Sequence, residues 1–193
     1  MKTRLLALAA LLAASAPALA APERPVVRPT QDVRITYTAS DPQAGNATLQ
    51  VAISARGERM RVDMPGQEGA LIFEPGAKRQ IVLIPPLKSY IDMPADQFVM
   101  PQLAVPDDAS FTRIGTSRIA GAVCTRWQVQ SREAQGTVCL TDDGVLLAAD
   151  GTRSGRRGSL EATKLERTRL ADATFLPPAD YRRISGPSSA PAR

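Results

Sequence analysis

The chain has 193 residues with 24 Lys plus Arg, 19 Asp plus Glu, two Cys and no His. Without histidine, neither a Ser-His-Asp nor a Cys-His apparatus can be built, no metal can be held by imidazole, and a histidine pH switch is excluded. Two cysteines are too few for a Cys₄ zinc site, and an aromatic content of 4% leaves few rings to stack on bases, so no nucleic-acid partner is expected.

Lys2 and Arg4 make a short positive head, Leu5 to Ala14 an apolar run, and Ala18-Leu19-Ala20 the small residues that a signal peptidase reads. Residues 1–20 therefore read as a signal peptide cleaved after Ala20. The run is too short to cross a bilayer, which takes roughly twenty residues, and no later segment is long and apolar enough. The expected product is periplasmic and not membrane-spanning. Residues 21–30, with Pro22, Pro25 and Pro29, read as an extended leader, 31–184 as one domain, and the Ser/Pro/Ala-rich 185–193 as a disordered tail.

Within the domain the period is two. Val33, Ile35 and Tyr37 alternate with Arg34, Thr36 and Thr38; Leu49, Val51 and Ile53 alternate with Thr48, Gln50 and Ala52; Met60, Val62 and Met64 alternate with Arg59, Arg61 and Asp63. Such spacing puts one set of side chains on a buried face and the other in water. Ala70–Phe73 and Ile81–Ile84 are denser apolar runs, as expected of strands covered on both faces, and Ser89–Met93 is a further short strand. A helix of one or two turns is predicted over Ala95–Met100. Strands resume through 111–119, 122–130, 136–141, 145–149 and about 159–168, with Gly and Pro turns between them. The pattern predicts a mainly β fold: a single antiparallel sheet curved into a half-barrel or incomplete barrel, with one or two short helices.

The most specific constellation is Cys124-Thr125-Arg126-Trp127 followed by Val138-Cys139-Leu140-Thr141-Asp142-Asp143-Gly144. A turn near Ser131-Arg132 sets Val123 opposite Leu140 and Cys124 opposite Cys139, with the apolar residues on one face and both sulfurs on the other. In an oxidising compartment this reads as a structural disulfide; fourteen intervening residues do not resemble a redox-active Cys-x-x-Cys. Asp142-Asp143-Gly144 reads as a tight turn rather than a calcium loop, whose alternating oxygen ligands it lacks. Met60, Met64, Met93 and Met100 read as core filler rather than copper ligands, and no metal or cofactor is expected. Neither Gly-x-Ser-x-Gly nor Ser-x-x-Lys occurs, so an enzyme is not expected.

Residues 150–193 carry nine basic and five acidic groups. Arg153, Arg156 and Arg157 there are placed in a Gly/Ser-rich loop that could meet an anionic surface.

Three segments together carry a family resemblance: Arg59-Met60-Arg61-Val62-Asp63 leading to Pro85 and Tyr90-x-x-Met93-Pro94, the Cys124…Cys139-Leu140-Thr141-Asp142-Asp143-Gly144 hairpin, and Phe175-x-Pro177-x-x-x-Tyr181. Over roughly residues 30–184 the chain resembles small exported Gram-negative domains of unknown function that are similar to lipoprotein carriers of the LolA/LolB type. The resemblance implies an incomplete barrel, short helices over its concave face, and an apolar cavity for acyl chains. Only 95–100 and a short turn near Leu170–Ala173 could serve as a lid. The leading expectation is a non-enzymatic periplasmic binding protein for a lipid or other apolar ligand, lined by Leu49, Val51, Ile53, Met60, Val62, Met64, Ile72, Ile81, Leu83 and Trp127. The alternative is an envelope structural or interaction module that binds a protein or an anionic surface through its basic C-terminal third.

Overall fold

Alternating side chains dictate pleated strands, and the computed structural model contains twelve of them among the residues it describes. It describes residues 23–185 apart from 44, 65, 67–68, 95–104 and 107. In chain order they are β1 (Val33–Asp41), β2 (Gly45–Ile53), β3 (Met60–Asp63), β4 (Ala70–Glu74), β5 (Arg79–Ile84) and β6 (Ser89–Pro94), then β7 (Ser110–Ile119), β8 (Ala122–Gln130), β9 (Ala134–Leu140), β10 (Leu146–Arg153), β11 (Arg156–Arg167) and β12 (Arg182–Ile184). They form one sheet in the order β12-β6-β5-β4-β3-β2-β1-β11-β10-β9-β8-β7. Every pairing is antiparallel except that of β12, which runs parallel to β6. The sheet is open rather than closed into a barrel. It curls enough for β7 to touch β11, with three strands lying between them in the sheet.

The helices are reduced to 3-10 turns among the described residues. Two of these repeat one device: Pro75–Ala77 and Pro85–Leu87 each begin with proline and end at a lysine in the left-handed region, whose N–H returns to the proline carbonyl at 3.0 Å. This joins β4 to β5 and β5 to β6. The turn expected near Leu170–Ala173 is a 3-10 turn at Asp172–Phe175. The helix predicted over Ala95–Met100 lies outside the described residues, as does most of the tail.

Burial follows the register. Val33 pairs with Ile53, Ile35 with Val51, Tyr37 with Leu49, and Val62 with both Val51 and Leu71, building one cluster on one face. On the reverse face of β2–β5, Ala52, Ala70, Ile72, Ile81 and Leu83 form a second cluster, sealed by Leu170 and Phe175 from the C-terminal segment. Strands β4 and β5 are thus covered on both sides. Each fully buried side chain of this size contributes roughly 1.5–3 kcal/mol. Asp32 fastens the segments that bracket the second cluster: its carboxylate accepts the N–H of Ala55 and of Leu170, both at 2.8 Å, and these bonds hold its pKa below the usual value.

Candidate functional site

The β8–β9 hairpin differs from the expected register. Thr125 lies opposite Leu140, Arg126 opposite Cys139 and Trp127 opposite Val138, a displacement of two residues. The turn centres on Arg132-Glu133 because the Ser131 hydroxyl accepts the N–H groups of Glu133 and Ala134, at 3.3 and 2.9 Å, and so selects the corner. A two-residue shift preserves every side chain's face. Cys124 and Cys139 become diagonal neighbours, with Cα atoms 5.4 Å apart, and are bonded as a disulfide.

Arg153, Arg156 and Arg157 are not in a loop but on β10 and β11. Only Ser154 and Gly155 form the turn, both at positive φ (47° and 78°), which suits a two-residue hairpin. That turn fixes what lies behind it. Gly158 falls opposite Gly151, Gly151 opposite Gly136, and Gly136 opposite Val129, giving a row of three glycines across β11, β10 and β9. The backbones meet closely there. A Cβ on Gly136 would collide with the carbonyl oxygen of Asp150, and one on Gly151 with that of Gln135.

This bare strip floors a groove of ≈ 380 Å³. Its walls are Val105, Pro106, Val129, Val138, Leu146, Ala149 and Leu160, and Arg153 and Arg156 stand at its hairpin end. Arg156 reaches the Asp41 carboxylate at 3.4 Å, and Arg157, outside the lining, reaches Asp150 at 3.8 Å. Beside the groove, the hydroxyl of Tyr37 donates to the carbonyl of Leu146 at 2.7 Å; complete burial pushes this phenol up and keeps it a neutral donor. Trp127 packs edge-to-face on Phe111 in the cluster that continues the wall through Val129, Val138 and Leu146, and its indole N–H has no partner among the described residues.

A second groove, of ≈ 640 Å³, lies on the opposite face of the same strands where the sheet bends toward β7. It is lined by hydroxyl side chains together with Arg126, Asp150 and Glu161, and in similar measure by apolar residues, among them Ile119, Val138, Ala148 and Leu160.

The ten apolar residues singled out from the sequence are not brought together. Leu49, Val51, Ile53 and Val62 lie in the first cluster, with Met60 and Met64 packed against it. Ile72, Ile81 and Leu83 are on the reverse face, and Trp127 is in a third cluster. None of them lines either groove; Arg153 and Arg156 do line the first. The groove walls on β9–β11 escaped sequence reasoning, although placing a two-residue turn at Ser154-Gly155 would have set Gly151 against Gly158.

No family model and no curated protein matches the chain. Solved structures do. An uncharacterized conserved protein from Thermus thermophilus superposes with a TM-score of 0.57 at 14% identity, covering 81% of this chain and 91% of that one. The complex structure of Pseudomonas aeruginosa MucA/MucB gives 0.51 at 17%, over 77% of this chain and 56% of the other. This chain thus spans little more than half the length of that one. A LolA superfamily protein from Nitrosomonas europaea gives 0.40 at 14%, over 78% and 92%. The likeness of the first two shows the open-sheet architecture. The disulfide fits an exported protein.

Proposed function

We propose that this protein is a periplasmic binding protein rather than an enzyme, and that its glycine-floored groove holds the acyl part of an amphiphile whose anionic end meets Arg153 and Arg156. The single observation that carries the reading is the groove's composition along its length: bare backbone below, aliphatic walls, and cations at one end only. Its volume falls in the range of about 300–1,000 Å³ usual for small-molecule sites. The glycine row supports the reading because no side chain stands where a chain of methylenes would lie. The envelope-module reading draws on the same arginines. It is weaker because it leaves the aliphatic walls and the glycine floor without a role, whereas the acyl reading uses them together with the arginines.

The test is mass spectrometry of an organic extract from the full chain purified out of the periplasm. Expected are acyl species near one per protein, lost in Ala134→Trp, which plugs the groove between β9 and the arginines while leaving the circular dichroism unchanged. A clean protein without acyl species, or an Ala134→Trp variant carrying the same load, overturns the reading.

A further inference from the structure

The second groove is built by one face of five strands. Arg126, Cys139, Ala148, Glu161 and Thr38 stand in a single cross-strand row from β8 to β1, and Thr137, Asp150, Ser159 and Ser40 form the next. Ser117 and Ile119 of β7 close it from above, where β7 approaches β11. Two members of the first row carry opposite charge, Arg126 at its β8 end and Glu161 on β11. Among the described residues Arg126 and Glu161 make no ion pair or side-chain hydrogen bond, whereas Asp150 is engaged by Arg157. The hydroxyls of Thr38, Ser40, Ser117, Thr137 and Ser159 are likewise without hydrogen bonds among the described residues.

A hydroxyl both donates and accepts, and so suits a ligand presenting amide N–H and C=O groups in alternation. Among the described residues no aromatic side chain lines the groove, which argues against a sugar platform. The separation of the charges sets the ligand's length. Three strand spacings place the backbones of Arg126 and Glu161 about 14 Å apart along the sheet, a span from which the reach of the two side chains is to be taken. What remains suits an ammonium and a carboxylate separated by two or three extended residues, at about 3.5 Å each. A phosphoethanolamine headgroup, with its charges only a few bonds apart, is too short. Cys139 in the floor is tied to Cys124, so the β8–β9 base is preorganised.

We propose that this groove binds a short peptide of two or three residues by its two free ends, the carboxylate on Arg126 and the ammonium on Glu161, with the Ser and Thr hydroxyls meeting the amides between.

Isothermal titration of the full chain with trialanine tests it. Trialanine is expected to bind, and both N-acetyl-trialanine and trialanine amide to bind at least tenfold more weakly. In Glu161→Gln the penalty for N-acetylation disappears while that for amidation stays; in Arg126→Gln the reverse holds. Both side chains are exposed, and Trp127 fluorescence verifies that each variant is folded. No binding of trialanine at millimolar concentration, equal binding of free and blocked peptides, or variants that keep both penalties overturns the proposal.

Discussion

Asp143 shows how much one turn residue ties together. Its carboxylate accepts both Nε and an Nη of Arg167 at 2.8 Å, the Thr141 hydroxyl at 2.6 Å and the Gln31 amide at 3.0 Å, while its own backbone carbonyl takes the N–H of Thr30. The leader, the β9–β10 turn and the end of β11 thus meet at one side chain. Donation from Arg167, then from Thr141 and Gln31, holds its pKa well below the ordinary carboxylate range against a partial desolvation that works the other way. A folded pKa below the unfolded value near 3.9 means stability that is fully present above about pH 4 and is lost as pH falls through the folded value. Asp143→Ala should therefore cost about 2 kcal/mol at pH 7, the scale of hydrogen bonds to a charged group. In urea titrations the gap from the parent protein should narrow steadily as pH drops below about 4. A gap that is constant with pH would show that the charge is not what holds the corner.

At the scale of elements, alternation decides which face a residue takes but not which partner it meets. Sequence periodicity recovers β1 to β11 closely and assigns the cysteines to the face opposite Trp127. It cannot detect a two-residue slip in β8–β9, because such a slip returns each side chain to its own face. Ser131 chooses between the two registers through hydrogen bonds to Glu133 and Ala134, and its hydroxyl gives no signal in an apolar pattern. For the same reason an apolar pattern points to the most regular strands as a lining. There Leu49, Val51 and Val62 alternate cleanly because they are packed core, whereas the groove is marked by missing side chains on β9–β11. Glycine in a strand usually reads as weakness; here Gly136 is fixed by the approach of the Asp150 carbonyl. Gly136→Ala is expected to destabilise the fold by about 3 kcal/mol, within the range for overpacked sites. Gly76→Ala, where a Cβ has open space and the backbone is not left-handed, should change stability by less than about 0.5 kcal/mol or improve it slightly. Thermal melts of the two variants side by side separate close approach from loss of glycine's flexibility.

For the whole molecule, an open sheet has two edges to protect and two faces to cover, and the segments flanking the strands do both. The leader runs to the β7 edge, where Glu23 lies 3.7 Å from Arg113 and the Arg24 guanidinium sits over Phe111, and Val27 packs into the Trp127 cluster. Charge and cover of this kind protect an edge from pairing with another chain. At the far side the C-terminal segment crosses the reverse face of β2–β5 and ends as β12 beside β6. Phe175 is its anchor: wholly buried, capped by the Arg59 guanidinium 4.8 Å from the ring centre, and flanked by Ile72, Ile81 and Leu83. Truncating a phenylalanine in such a site costs about 3–5 kcal/mol. How that loss is distributed tests whether the halves of the sheet unfold as one. β1 pairs with both β2 and β11, so it belongs to both halves, and a cooperative sheet transmits the loss through it. Trp127, the only tryptophan, sits in the other half and reports on it separately. In Phe175→Ala the urea midpoint from Trp127 fluorescence should fall together with that from far-UV circular dichroism, in one transition. If the fluorescence midpoint stays at the parent value while part of the dichroism signal melts early, the C-terminal segment closes only its own half, and β1 is a seam rather than a shared core.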